Sequence, residues 1–243
     1  MDDQSSYQLN YQSLTFEDKL RVYRMEHIVN YLNTIKCASI LEIGCGNDSI
    51  FMYYNDFKTL HIIEPGKIFY DFTNNKIKKD PRITISNNMI EDESLIFEKT
   101  YDVIIIGGFL HEIDNPEEVL CSIKNIANDK TVIMTYVPNA DSFHRQLAVE
   151  SGIIKSNYEF SGNDKIFGRR TVFNTASISK MFANCGFVVL QTDTYFIKPF
   201  SHEQMDKLFK ISILTDEILA GLFKLSKYIP NMGCEIFLAA MIQ

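Results

Sequence analysis

Glu42, Gly44, Gly46 and Glu64 are the residues whose types and spacing speak most directly of chemistry. The apolar run Ser39-Ile40-Leu41-Glu42-Ile43 breaks into two glycines separated by Cys45. A buried strand there hands the chain to a tight loop where a ligand lies against bare backbone. A second apolar run, Leu60-His61-Ile62-Ile63, ends in Glu64 and Pro65. A glycine-rich first loop with an acid at the tip of the next strand is the nucleoside-binding arrangement of a doubly wound sheet, the carboxylate accepting from ribose hydroxyls. His111 and Glu112 follow another apolar run and are candidate general bases, as is His144 further on. Basic residues of an otherwise acidic chain gather at Arg145, Arg169 and Arg170, and more faintly at Lys198. Arginine is the side chain that grips phosphate or carboxylate groups bidentately.

These residues need elements to hold them. Phe16 to Lys36 carries apolar residues at mostly helical spacing and reads as an amphipathic helix laid before the first strand. Asn47 or Asp48 is placed to cap a helix running to about Tyr54, and Pro65-Gly66 leads into another ending near Ile77. Short strands are expected at Ile83–Ile85 and Tyr101–Ile106, the latter apolar throughout after Asp102, as befits a strand covered on both faces. Asn115-Pro116-Glu117-Glu118 opens a helix with proline in its first turn, and Thr131–Val137 is a fifth strand. From Ala140 to Asn174 the chain turns polar and basic, which reads as an inserted lid rather than another strand–helix unit. A helix over Ala176–Cys185, a strand from Phe187 with a tail to Phe200, a helix over Leu208–Tyr228 and a closing strand over Glu235–Ile242 complete the pattern. Strands alternating with helices at these spacings imply a parallel sheet with right-handed crossovers.

Composition narrows the function. With 243 residues, 46% of them hydrophobic, there is ample material for one well-buried core. A formal charge of −7 excludes a surface built to coat nucleic acid, though not a small phosphorylated ligand held by a few local arginines. The five cysteines are scattered without CxxC spacing and read as reduced thiols of a cytoplasmic protein. The start, Met-Asp-Asp-Gln-Ser-Ser, is not a secretory signal, and no apolar segment reaches the roughly 20 residues of a membrane helix.

Two cofactors compete for the first loop. A dinucleotide fingerprint wants a third glycine where this chain has Ser49, and Asp48 would sit beside the pyrophosphate, an unfavourable approach of like charges. Glu42 and Asp48 are compatible instead with a cationic sulfonium and its ammonium group. At this point the chain resembles class I S-adenosylmethionine-dependent methyltransferases. The resemblance runs from about Ser39 to Val137 and is carried by Glu42-Ile43-Gly44-Cys45-Gly46, by Glu64, and by Gly107-Gly108-Phe109-Leu110-His111-Glu112-Ile113-Asp114-Asn115-Pro116. Two positions depart from the family pattern: Asp48 replaces the usual third glycine, and Asn87-Asn88-Met89-Ile90 stands where an aspartate commonly meets the adenine edge.

The resemblance implies a Rossmann-like α/β fold: a doubly wound, mostly parallel, seven-stranded sheet with an antiparallel last strand, an N-terminal helical cap and an insert forming a lid. It implies S-adenosyl-L-methionine as cofactor and S-adenosyl-L-homocysteine as product. Glu42, Gly44, Cys45 and Gly46 would line the methionine portion, Glu64 and Pro65 the ribose, Asn88, Met89 and Ile90 the adenine, and Gly107 the amino group. Relatives often carry a helical cap over the cofactor, where Tyr7, Tyr11, Arg21 and Arg24 lie here. Arg24 would pair with the methionine carboxylate or else lie on an exposed helix face. His111 serves either catalysis or loop structure, and in many relatives a histidine holds the place of Glu112.

The elements Pro138-Asn139…His144-Arg145, Gly168-Arg169-Arg170 and Lys198-Pro199 also resemble a bacterial subgroup of these enzymes found with capsule and lipopolysaccharide biosynthesis. That implies O-methylation of a small anionic precursor of a surface glycan, phosphorylated or nucleotide-linked and even a phosphoramidate, bound by His144, Arg145, Arg169 and Arg170. N-methylation of an amino sugar or amine is the alternative within enzymes. A non-catalytic S-adenosylmethionine-binding subunit is the alternative outside them, and a nicotinamide reductase the outside choice. The expectation is one domain over 1–243, divided as cap 1–36, cofactor half 37–137, lid 138–174 and C-terminal half 175–243, with a small-molecule partner and no metal, nucleic-acid polymer or membrane insertion.

Overall fold

A computed structural model of the chain describes residues 15–92, 100–160 and 168–243. Its centre is a seven-stranded sheet in the order β3-β2-β1-β4-β5-β7-β6. The strands are β1 (Ser39–Ile43), β2 (Thr59–Ile63), β3 (Ile83–Ser86), β4 (Val103–Ile106), β5 (Val132–Pro138), β6 (Phe187–Tyr195) and β7 (Glu235–Ile242). Neighbours from β3 through β5 pair in parallel, while β7 runs antiparallel to both β5 and β6. The reversal of strand order falls between β1 and β4, so the loops leaving their C-terminal ends open onto one crevice.

The strands follow from alternation. Ile40, Leu60, Ile62, Val103, Ile105, Met134, Phe237 and Ala239 point into one apolar layer. Leu41, Ile43, Ile63, Ile104, Ile106, Ile133, Leu238 and Ala240 point into the other. Each residue of β4 is buried, the result of helices on both faces. The first layer is covered by α1 (Thr15–Leu32), whose Phe16, Leu20, Ile28 and Leu32 are buried against the sheet. Each such side chain contributes about 1.5–3 kcal/mol on leaving water. The second layer is covered by α3 (Pro116–Ile126) and α5 (Thr175–Asn184), while α2 (Lys67–Lys76) follows β2.

Several boundaries differ from the sequence expectation, each for a physical reason. The helix expected after the first loop is one 3₁₀ turn, Ile50–Met52. Its first N–H donates to the Glu42 carboxylate at 2.9 Å, while Asp48 accepts from the Tyr53 hydroxyl at 2.9 Å instead of capping. The first helix stops at Leu32, where the Thr34 hydroxyl donates to the Tyr31 carbonyl. The single helix expected over Leu208–Tyr228 is two, α6 (His202–Lys210) and α7 (Asp216–Leu225), parted by Ser212 in the left-handed region. α6 begins earlier than expected because Ser201 and Gln204 form a reciprocal capping box. The insert contains a helix of its own, α4 (Phe143–Glu150). Its two ends meet, Ala140 N–H donating to the Phe173 carbonyl at 2.7 Å.

Candidate active site

A cavity of about 810 Å³ lies at the C-terminal edge of the parallel strands. Its donor end is built by backbone. Gly44 and Gly46 both take positive φ, +72° and +56°. The Gly44 N–H donates to the Ile63 carbonyl at 2.8 Å, and the Gly107 N–H to the Ile43 carbonyl at 2.7 Å. Glu64 holds the neighbouring loops: one carboxylate oxygen accepts from the Gly46 N–H and the other from the Gly66 N–H, each at 2.8 Å. Burial raises the Glu64 carboxyl, and the two N–H groups pull it back. Around this end stand Cys45, Asn47, Asp48, Pro65, Phe69, Met89, Ile90 and Phe109.

Three residues expected to touch the cofactor do not line the cavity. Glu42 is turned inward, accepting from the Ser49 hydroxyl and the Ile50 N–H; burial raises its carboxyl to about 7 against those two bonds. Gly107 packs backbone on backbone, since a Cβ there would stand 2.0 Å from the Gly44 carbonyl oxygen. Asn88 donates to the Asp92 carboxylate at 2.8 Å, and it is Asn87 that ties the adjoining loops, donating to the Glu64 and Pro65 carbonyls. Tyr11, with Tyr7, lies outside the described residues.

Arg24 lines the cavity but is committed to carboxylates of its own chain. It donates to both oxygens of Glu235 and to Glu17 at 3.0 Å, and its guanidinium lies 5.0 Å from the Tyr136 ring centre. The Tyr195 hydroxyl adds a 2.5 Å bond to Glu235. Burial works against the Arg24 charge, and Glu235 and Glu17 more than offset it.

The other end of the cavity carries the candidate bases and the cations. His111 and Glu112 follow β4, with Nε2 and Oε1 3.5 Å apart. The His111 carbonyl accepts from the Arg170 and Thr171 N–H groups, which brings the far end of the insert against the loop after β4. His144, Arg145, Arg169, Arg170, Lys198 and His202 all line this end. Arg145 spends its guanidinium on the carbonyls of Asn157 and Glu159, supporting the insert, and Arg170 lies at the exposed rim beside Asp114. Burial lowers His144 well below the usual imidazole range, and Lys198, Arg145, His202 and Arg169 lower it further. Burial, Lys198 and Arg169 lower His202 to about 3.

Glu17, Tyr136, His202 and Glu235 were not picked out from the sequence. They come from α1, β5, α6 and β7, so no local spacing joins them. The signal that was present is the Ser201–Gln204 capping box, which puts His202 at a helix start.

The layered sheet with β7 reversed is a Rossmann-like methyltransferase fold, and solved methyltransferases share it. The plantazolicin methyltransferase BpumL, in complex with a pentazolic desmethylPZN analog and SAH, aligns with a TM-score of 0.59 at 18% identity, over 98% of this chain and 90% of that one. The plantazolicin methyltransferase BamL, with a triazolic analog and SAH, gives 0.58 at 12% identity over 99% and 95%. The CurJ carbon methyltransferase gives 0.50 at 15% identity over 84% and 48%. A search of curated proteins found no match. The family model of a methyltransferase domain matches residues 16–192, and the chain belongs to that family. It is an S-adenosylmethionine-dependent methyltransferase. The donor end fits that cofactor: a Cβ at Gly46 would have nothing within 4 Å, so bare backbone stands open beside the Glu64 acid.

Proposed function

We propose that the chain, acting as one catalytic domain, methylates an oxygen of a small acceptor that carries an anionic group. The acceptor class is a phosphorylated or nucleotide-linked precursor of a bacterial surface glycan. The observation that carries this reading is the cluster of basic side chains in the cavity lining, Arg169 and Lys198 with His144 and His202, in a chain of net charge −7. When bound, S-adenosylmethionine supplies an electrophilic methyl group and leaves as S-adenosylhomocysteine. The Gly44–Gly46 loop and Glu64 would hold it, with Met89 and Ile90 toward its base, and the enzyme's main contribution is alignment, worth about 7–11 kcal/mol.

His111 takes the proton from a hydroxyl acceptor, with the Glu112 carboxylate 3.5 Å from its Nε2. That contribution is about 10²–10⁴-fold in rate, and an acceptor oxygen already anionic has no need of it. N-methylation is the weaker reading, because two of the carboxylates lining the cavity, Glu17 and Glu235, are engaged by Arg24. Among the described residues no helix is long and apolar enough to cross a membrane.

The test is transfer of labelled methyl to a panel of sugar phosphates, nucleotide-linked sugars, uncharged sugars and amines. Label should enter the anionic acceptors, and turnover restricted to uncharged molecules would overturn the reading.

A further inference from the structure

Lys198 is the least explained polar residue of the cavity. It is 8% exposed, on the segment between β6 and α6, and makes no hydrogen bond or ion pair among the described residues. A buried ammonium without a partner is costly, and the usual remedy is a nearby carboxylate. The neighbouring carboxylates are taken. Glu235 is held by Arg24 and Tyr195, and Glu17 by Arg24, with the His202 Nε2 3.6 Å away.

Two imidazoles flank the lysine in the same cavity lining. The Nδ1 of His144 is sealed from solvent and has no hydrogen-bond partner among the described residues. His144 is the second residue of α4 and His202 the first of α6, so two helix N-termini, the positive ends of their dipoles, stand at this wall. Arg169 reaches the same lining from the far end of the insert.

We propose that Lys198, His144 and His202 form a subsite for a phosphoryl group of the methyl acceptor. This rests on the methyl-transfer reading above and names the part of the acceptor that is recognised. The donors belong to three separate segments: the insert helix, the β6–α6 connection and the start of α6. A tetrahedral group with several accepting oxygens can meet donors from different directions, whereas a planar carboxylate takes its partners in one plane. Lysine acts on such a group as a compact point charge, and the imidazoles, held neutral by burial, donate single hydrogen bonds.

The experiment titrates the full chain with inorganic phosphate, and separately with acetate, in wild type, Lys198→Met, Lys198→Arg and His202→Gln, with S-adenosylhomocysteine binding measured alongside. Wild type should bind phosphate in preference to acetate. Lys198→Met should lose at least about ten-fold in phosphate affinity, and Lys198→Arg should keep most of it. Because methionine replaces a buried, unpartnered charge, Lys198→Met should also fold, with Tm equal to or above wild type and unchanged S-adenosylhomocysteine affinity. Phosphate affinity unaltered by Lys198→Met overturns the proposal, as does acetate binding as tightly with the same dependence on Lys198. If S-adenosylhomocysteine fails to bind wild type while phosphate behaves as expected, the methyl-transfer reading falls and the subsite stands.

Discussion

The Glu64 carboxylate accepts the backbone N–H of Gly46 at 2.8 Å, fastening the tip of β2 to the loop that leaves β1. With its other oxygen on Gly66, one side chain holds both loops of the donor end. Carboxylate oxygens carry spare lone pairs, so the same group can brace the loops and still accept from a ribose.

Replacing Glu64 with alanine should therefore do two things. Stability should fall by about 1–3 kcal/mol from the unsatisfied N–H groups, and S-adenosylhomocysteine affinity should weaken about ten-fold or more. Glutamine should fall between, since one loop keeps an acceptor. Isothermal titration measures the affinity, and an unchanged value for the alanine variant would remove Glu64 from the cofactor site.

Gly46 and Gly107 should respond differently to alanine. At Gly107 the new carbon would lie 2.0 Å from a backbone oxygen, so Gly107→Ala should cost about 3 kcal/mol or more, or prevent folding. At Gly46 there is room, and only the positive φ resists, a cost of about 1–2 kcal/mol. Gly46→Ala should fold and bind S-adenosylhomocysteine poorly. Denaturant melts of the two variants check the contrast.

The sheet was legible because its signal is local: runs such as Val103–Ile106 and Leu60–Ile63 announce buried strands by composition alone. The donor loop was legible for the same reason, its glycines and acids lying on consecutive strands. What local pattern does not set is orientation. Glu42 has the right type and position for a ligand contact, yet its neighbours Ser49 and Ile50 offer hydrogen bonds on the protein side. Part of the wall opposite the donor loop, Glu17, His202 and Glu235, escaped for a different reason. Glu17, His202 and Glu235 meet only because α1 packs against α6 and β7, contacts far apart in sequence.

That long-range cluster makes a stability prediction. Arg24→Met leaves Glu235 and Glu17 buried without their cation and should cost about 3–5 kcal/mol. Adding Glu235→Gln should recover part of the loss, because the two sites are coupled. Strictly additive losses in urea denaturation would show that the pair is not the unit described.

Glu42 sets a pH dependence. Its carboxyl is raised from 4.5 to about 7, so it binds its proton more tightly folded than unfolded. The stability it contributes is full below about pH 4.5 and is lost as pH rises through 7, a total of up to about 3 kcal/mol. Glu42→Gln should flatten the stability profile between those limits while preserving both hydrogen-bond positions. An unaltered slope would disprove the assignment.

The two adjacent arginines should separate kinetically. Arg170 is 58% exposed and pairs with exposed Asp114 at 3.3 Å, a contact worth about 0–1 kcal/mol. Arg170→Ala should change the acceptor KM by less than about two-fold, and Arg169→Ala should raise it about ten-fold or more with kcat nearly unchanged. Equal effects of the two would contradict the geometry.

The insert leaves and rejoins the sheet edge at one spot, where Asn139 bridges Phe173 and Ala140 bonds to it. A detour with coincident endpoints can be lengthened, shortened or exchanged while the strands beneath keep their register. The insert's share of the cavity lining, His144, Arg145 and Arg169 among it, is in that sense detachable from the donor loops on the sheet. Transplanting the stretch between Ala140 and Phe173 among enzymes with the same sheet would exchange that part of the lining while leaving Lys198 and His202 where they are.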